Sequence, residues 1–207
     1  MKLTREKAME LLREAEGMNP GPWVPHSISV AEVAQRLAEA LKVDVEKTYI
    51  GALLHDIGRR YGYTGTRHIL DGYNYLCDLG YDDIARYCLT HSYFIKDAKI
   101  MYGKRDMTDS ELEFVQKYLD GIEYDIYDKL VQLADCMAIP QGAVSLERRL
   151  LEVNLRHGIP DFTLEDWKAK VKLQHEIETL LGHSIYKVLT EVGQELENCM
   201  IEDVFVF

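Results

Sequence analysis

The chain has 207 residues, of which 47% are hydrophobic and 29% charged, with a formal net charge of −11. That length suits one well-cored domain with room for a helical extension. A net-negative chain without a run of five basic residues lacks the electrostatic footprint that a nucleic-acid backbone selects, which excludes nucleic-acid polymers as expected partners.

Apolar spacing predicts helices through the whole chain. The first covers 4–16, with Thr4 as its cap and Ala8, Leu11, Leu12 and Ala15 on one face. Gly17-Met18-Asn19-Pro20-Gly21-Pro22 breaks it. Trp23-Val24-Pro25-His26-Ser27 leads into a second helix carrying Val30, Val33, Ala34, Leu37, Ala38 and Leu41, and His26 falls one turn before Val30. A third helix starts at Asp44, runs through Val45, Tyr49, Ala52 and Leu53, and closes with His55-Asp56, with Gly58 as its expected stop. Asp56 is next on that apolar face, and Gly51, one turn before His55, leaves the histidine uncrowded. A polar, aromatic loop spans 59–67 and the next helix opens at His68. Residues 82–91 form a short helix on which Ile84, Cys88 and His91 share a face. After a loop over 99–107, Thr108-x-x-Glu111 offers a capping box. From Tyr124, a helix turns Tyr127, Leu130, Val131, Ala134 and Ala138 inward, with Asp135 one turn after Val131 and Pro140 ending it. Helical stretches follow at about 144–156, 164–181 and 184–198, and no alternating strand pattern persists. The expected fold is all-α.

His26, His55, Asp56, His91 and Asp135 thus stand where apolar residues belong, and His68 at a helix start can join them. A single histidine on an apolar face is most often a hydrogen-bonded core residue, and Asp135 alone can be a salt-bridge partner for an arginine. Together, however, several imidazoles and two carboxylates cannot easily all be satisfied inside a helical core. One divalent cation satisfies such a set, and imidazole with carboxylate suits Fe, Mn, Zn, Ni or Co.

The ordered set of His26, His55-Asp56 and Asp135 resembles the HD-domain metal-dependent phosphohydrolase superfamily. His55-Asp56-Ile57-Gly58 matches its characteristic tetrapeptide, Gly51-Ala52-Leu53-Leu54 and Leu133-Ala134-Asp135 also fit, and the resemblance covers about residues 20–140. It implies an all-α core with metal between helices and hydrolysis of phosphate esters or anhydrides. Members with two metals add histidines between the His-Asp pair and the last aspartate. His68, in His68-Ile69-Leu70-Asp71-Gly72, and His91 occupy suitable places. The resemblance therefore implies His26, His55, Asp56 and Asp135 on a first ion, with Asp56 bridging to a second held by His68 and His91. The arrangement resembles the branch that cleaves diadenosine tetraphosphate symmetrically, although the helix contents differ. The cyclic-dinucleotide phosphodiesterase branch is rejected, because its paired histidines are replaced by His91-Ser92 and its Gly-Tyr-Pro signature is absent.

A bound cation acidifies water and polarises a phosphoryl oxygen, and Asp56 or Asp135 could orient or deprotonate that water. Arg59, Arg60, Arg67 and Lys96 are the candidate phosphate ligands, each with a solvated surface charge as the alternative. Tyr61, Tyr63, Tyr73 and Tyr75 could floor a base-stacking pocket, or simply pack the core. His157-Gly158 reads as a helix end where a partly cationic imidazole suits the dipole; His175 and His183 carry no functional reading, and Arg148-Arg149 reads as a solvated face that could lean over the pocket. The four cysteines form no Cys-x-x-Cys pair, the N-terminus lacks an apolar signal region and no apolar run approaches 18 residues, so a cytoplasmic protein with reduced thiols and no membrane contact is expected. The expected organisation is a metal-binding helical core over 1–140 and helices over 141–207 packed on the same domain, where they lid the pocket or form a homodimer face. The expected function is a metal-dependent phosphohydrolase acting on a small phosphorylated compound, with a nucleotide as substrate. A non-catalytic metal or ligand-binding regulator and a di-iron oxygenase are the alternatives.

Overall fold

The computed structural model describes residues 2–202, with side chains through residue 196. Thr4 caps α1 (Arg5–Met18) through the Lys7 amide, and Ala8, Leu11, Leu12 and Ala15 face the core. The helix outlasts its predicted end because Gly17 weakens a helix without stopping it. Pro20 bars the preceding Asn19 from the helical region, and Asn19 adopts φ −145°. Asn19 then ties the break down, donating from Nδ2 to the Arg59 carbonyl at 2.6 Å and accepting from Trp23 Nε1 at 2.9 Å.

In α2 (Trp23–Leu41), Pro25 sits in the first turn, where its missing N–H has no helical acceptor to lose. Asp44 caps α3 (Val45–Leu54) by accepting from the Lys47 amide at 2.9 Å. Leu53 and Leu54 are wholly buried, each contributing about 1.5–3 kcal/mol of apolar burial. The helix ends at Leu54, with His55 as its cap, and the chain passes through Asp56 into a 3-10 turn over Ile57–Tyr61. Gly58 is therefore not the predicted helix stop. A Cβ there would lie 2.0 Å from the His68 carbonyl oxygen and 2.4 Å from the Gly72 nitrogen. Only glycine lets this turn press against α4 (Arg67–Asp78). Gly51 likewise makes room for a neighbour other than the one expected: its missing side chain accommodates the Tyr87 ring, 2.4 Å from an added Cβ.

Helices α5 (Asp82–Thr90) and α6 (Asp109–Asp120) follow, the latter with both halves of the Thr108–Glu111 capping box in place. Helix α7 (Ile126–Asp135) stops at Asp135, five residues before Pro140. Ala138 consequently belongs to β1 (Ala138–Ile139), which pairs antiparallel with β2 (Gly142–Ala143), and Pro140 lies in the turn between them. This hairpin was invisible to periodicity because two-residue strands are too short to alternate.

Beyond it lie α8 (Leu146–His157), α9 (Thr163–Leu181) and α10 (Thr190–Glu202). Leu173, Ile177, Ile185, Leu189 and Val192 join the same buried cluster as α1, α2, α3 and α7. Arg36 of α2 clasps this end of the chain through Glu191 and the Val188 carbonyl. Leu146 and Leu150 of α8 form a smaller cluster with Cys136, against Phe94 and Trp167. The fold is all-α apart from the hairpin. Among the described residues no helix is long and apolar enough to cross a membrane. Cys77, Cys88 and Cys136 are free thiols, while the Cys199 side chain lies outside the described residues.

Candidate metal centre

Five helix ends converge on one point. His26 lies in the first turn of α2, His55 caps α3, His68 lies in the first turn of α4, His91 caps α5, and Asp135 is the last residue of α7. Helix ends bring free carbonyls with them, and these orient the imidazoles. His55 Nδ1 donates to the Ala52 carbonyl at 2.6 Å, His68 Nδ1 to Gly65 at 2.5 Å, and His91 Nδ1 to Cys88 at 3.0 Å. A carbonyl oxygen only accepts, so each Nδ1 carries the proton.

The Nε2 atoms face the carboxylates. His26 Nε2 lies 2.8 Å from Asp135 Oδ1, and His55 Nε2 lies 3.8 Å from both Asp135 Oδ1 and Asp56 Oδ2. His68 Nε2 is 3.0 Å and His91 Nε2 3.9 Å from Asp56 Oδ1. The rings form a continuous run in the order His26, His55, His91, His68, with successive centroids 5.6, 4.8 and 5.8 Å apart. His26, His55 and Asp135 converge within metal-ligating distance of one another, as do His55, Asp56 and His91.

Burial keeps His55, His68 and His91 neutral. It depresses His55 despite the two carboxylates, depresses His68 with help from the Arg59 guanidinium, and pushes His91 down to about 4 with help from His55. Burial alone would raise Asp56, but Arg59, His68 and His55 outweigh it and hold the carboxyl well below the usual range. Asp135 is held low in the same way, with His26 the main opponent of burial.

A neutral imidazole has one ring proton. With that proton spent on Gly65, His68 turns a lone pair toward Asp56 Oδ1 across 3.0 Å. Among the described residues, Asp56 Oδ1 is correspondingly a buried oxygen without a hydrogen-bond partner. Acceptors facing acceptors in a dry core are unfavourable by several kcal/mol, and a cation among them removes the conflict. The donor set, imidazole nitrogens with two carboxylates, fits a divalent transition metal. Backbone carbonyls on the far ring nitrogens fix the tautomer a metal needs.

The predicted phosphate ligands separate into one that reaches the cluster and three that are engaged elsewhere. Arg59 donates from Nε to Asp56 Oδ2 at 2.7 Å, and its Nη2 lies 3.3 Å from His68 Nε2. Arg60 instead stacks 3.8 Å above the Tyr75 ring and donates to the Met18 sulfur. Arg67 pairs with Glu111 at 2.9 Å and Asp71 at 3.3 Å. Lys96 donates to the Ile122 carbonyl at 2.5 Å and lies 3.6 Å from Glu123. The four tyrosines are differently placed: Tyr61 and Tyr63 are exposed, Tyr73 packs on Phe114 and Tyr118, and Tyr75 lies under Arg60, which also stands 5.7 Å from the Tyr61 ring. His157 does end α8, but burial and the neighbouring Arg156 lower its pKa, so it is not the cationic cap expected there. His175 and His183 are exposed.

Sequence reading undervalued one residue. Arg149 places Nη2 3.8 Å from Asp135 Oδ1 with only 13% of its side chain exposed, whereas Arg148 is 58% exposed. The available signal was the α8 periodicity, which puts Arg149 three residues after the buried Leu146 and next to the buried Leu150.

The sequence model of the HD domain family matches residues 24–138, a span that holds every member of the cluster and ends before Arg149. An uncharacterized protein of Methanocaldococcus jannaschii is 40% identical over 83 residues, which are 38% of this chain and 47% of that protein. The aligned region is thus about half the length of this relative. Among solved structures, the HD domain of the phosphodiesterase PgpH from L. monocytogenes aligns over 89% of this chain and 98% of its own, with 16% identity and a TM-score of 0.47.

Proposed function

The chain belongs to the HD-domain family, and from that membership we propose that it is a metal-dependent phosphohydrolase acting on a small phosphorylated compound, with nucleotides as the first substrate class. One observation carries the reading: His55, His68 and His91, each with its proton on Nδ1, turn Nε2 lone pairs toward the two carboxylates, and among the described residues Asp56 Oδ1 has no donor. We assign His26, His55, Asp56 and Asp135 to one ion, and Asp56, His68 and His91 to a second.

When bound, such an ion supplies Lewis-acid polarisation of a phosphoryl group and acidifies water. The chain's own residues do the rest. Asp56, held below the usual carboxylate range chiefly by Arg59, and Asp135, held low chiefly by its hydrogen bond with His26, accept a proton from the attacking water or orient it. Arg59, already 28% exposed beside Asp56, turns spare guanidinium N–H groups to phosphate oxygens. The net charge of −11 disfavours polyanions, so the substrate is small.

Elemental analysis of protein purified without chelator or affinity-metal resin tests this reading. One to two transition-metal ions per chain, with phosphate release from a panel of nucleotides and other phosphorylated small molecules, is the expected result. A chain that stays metal-free after anaerobic addition of Fe or Mn would sink it.

A further inference from the structure

We propose that Arg149, supplied by α8 from beyond the family-matched span, is a substrate-anchoring residue that grips a phosphate oxygen opposite Arg59. This rests on the phosphohydrolase reading and adds to it a group outside residues 24–138.

The two carboxylates of the cluster each have a guanidinium beside them: Arg59 with Asp56 at 2.7 Å, and Arg149 with Asp135 at 3.8 Å. The partners of Arg149 are unevenly spread over its donors. Its Nε donates to the Asp135 carbonyl at 3.4 Å, and Nη1 pairs with Glu152. The Nη2 group lies 3.8 Å from Asp135 Oδ1, too long for a hydrogen bond, and makes no hydrogen bond among the described residues. Nor is Nη2 among the fully enclosed polar atoms that lack a partner. A nearly buried guanidinium with unspent N–H groups turned to one open side is the arrangement that receives a planar pair of anionic oxygens.

Burial adds weight to this assignment. Removing a guanidinium from water is unfavourable unless its donors are satisfied, and Arg148, one residue away, is 58% exposed with Glu195 at 3.7 Å. Leu146 and Leu150 of α8 pack against Cys136, the residue that follows Asp135. The helix that bears Arg149 is thereby anchored on the end of the helix that bears Asp135.

Titration of inorganic phosphate into the metal-loaded full chain, read by calorimetry alongside elemental analysis, tests the proposal. Arg149→Met should weaken phosphate binding about tenfold or more while metal per chain stays at the wild-type value. Arg149→Lys should recover part of the loss, since it keeps the charge without the fork. Glu152→Gln removes a carboxylate that competes for the same guanidinium and should tighten phosphate binding. Arg148→Met should leave it unchanged. Wild-type phosphate affinity in Arg149→Met overturns the proposal, and so does a joint loss of metal and phosphate, which would make Arg149 a brace for Asp135. Should Arg149→Met fail to fold, unchanged affinity in Glu152→Gln overturns it instead. Wild-type protein that carries metal yet binds no phosphate would reject the phosphohydrolase reading itself, and this anchor with it.

Discussion

Asp56 and Asp128 are both carboxylates withdrawn from water, at 4% and 0% exposure, and their neighbours differ in kind. Asp128 is ringed by donors: Arg86 Nε at 2.9 and 3.0 Å from its two oxygens, Thr90 Oγ1 at 2.9 Å and the Asp125 amide at 2.9 Å. It also caps α7 by closing the box with Asp125. Every lone pair has a proton to meet, and nothing is left over. Asp56 has Arg59 on one oxygen, but imidazole lone pairs face the other. Burial of charge therefore does not mark a functional site by itself. The mark is a buried carboxylate oxygen faced by imidazole lone pairs, a donor set that suits a cation.

Substitutions sharpen this contrast, and the largest effect belongs to Asp56→Asn. The amide can donate to His68 Nε2, so in chelator its folding stability should stay within about 1 kcal/mol of wild type or rise. Metal should be lost and phosphate release should fall roughly 10³-fold. A strongly destabilised Asp56→Asn with full metal content would break the comparison.

Asp128→Ala should behave in the opposite way, stranding the Arg86 guanidinium and destabilising the fold by about 3–5 kcal/mol in chemical denaturation. Metal per folded chain should be unchanged.

Asp106 supplies the smallest effect and an intermediate case. Burial would raise its pKa, but the Gly65 and Arg67 amides and the Thr66 hydroxyl lower it below the usual range. A depressed carboxyl contributes stability that is complete above its unfolded pKa and lost as pH falls through the folded value. Asp106→Asn should flatten that acid limb by less than about 1 kcal/mol, since the group is partly exposed. An unaltered stability–pH curve would show that this tether of the segment before His68 contributes nothing.

The sequence by itself determined the helical class and picked out the residues that the fold gathers into the cluster. Period 3.6 is a local property, so His26, His55, Asp56, His91 and Asp135 could each be recognised as polar groups on an apolar face. Caps were equally legible at Thr4, Asp44 and Thr108, because the residue and the amide it satisfies lie three positions apart. Only the tertiary structure decided the rest. Gly58 reads as a helix stop until α4 is seen pressing on it. Arg60, Arg67 and Lys96 read as free charges until the partners on distant elements are placed beside them. Arg149 reads as solvated until α8 is laid over Asp135. In each case the deciding group is far off in the chain. Which guanidinium is neutralised and which keeps an open N–H is set by packing between helices, which no local spacing encodes.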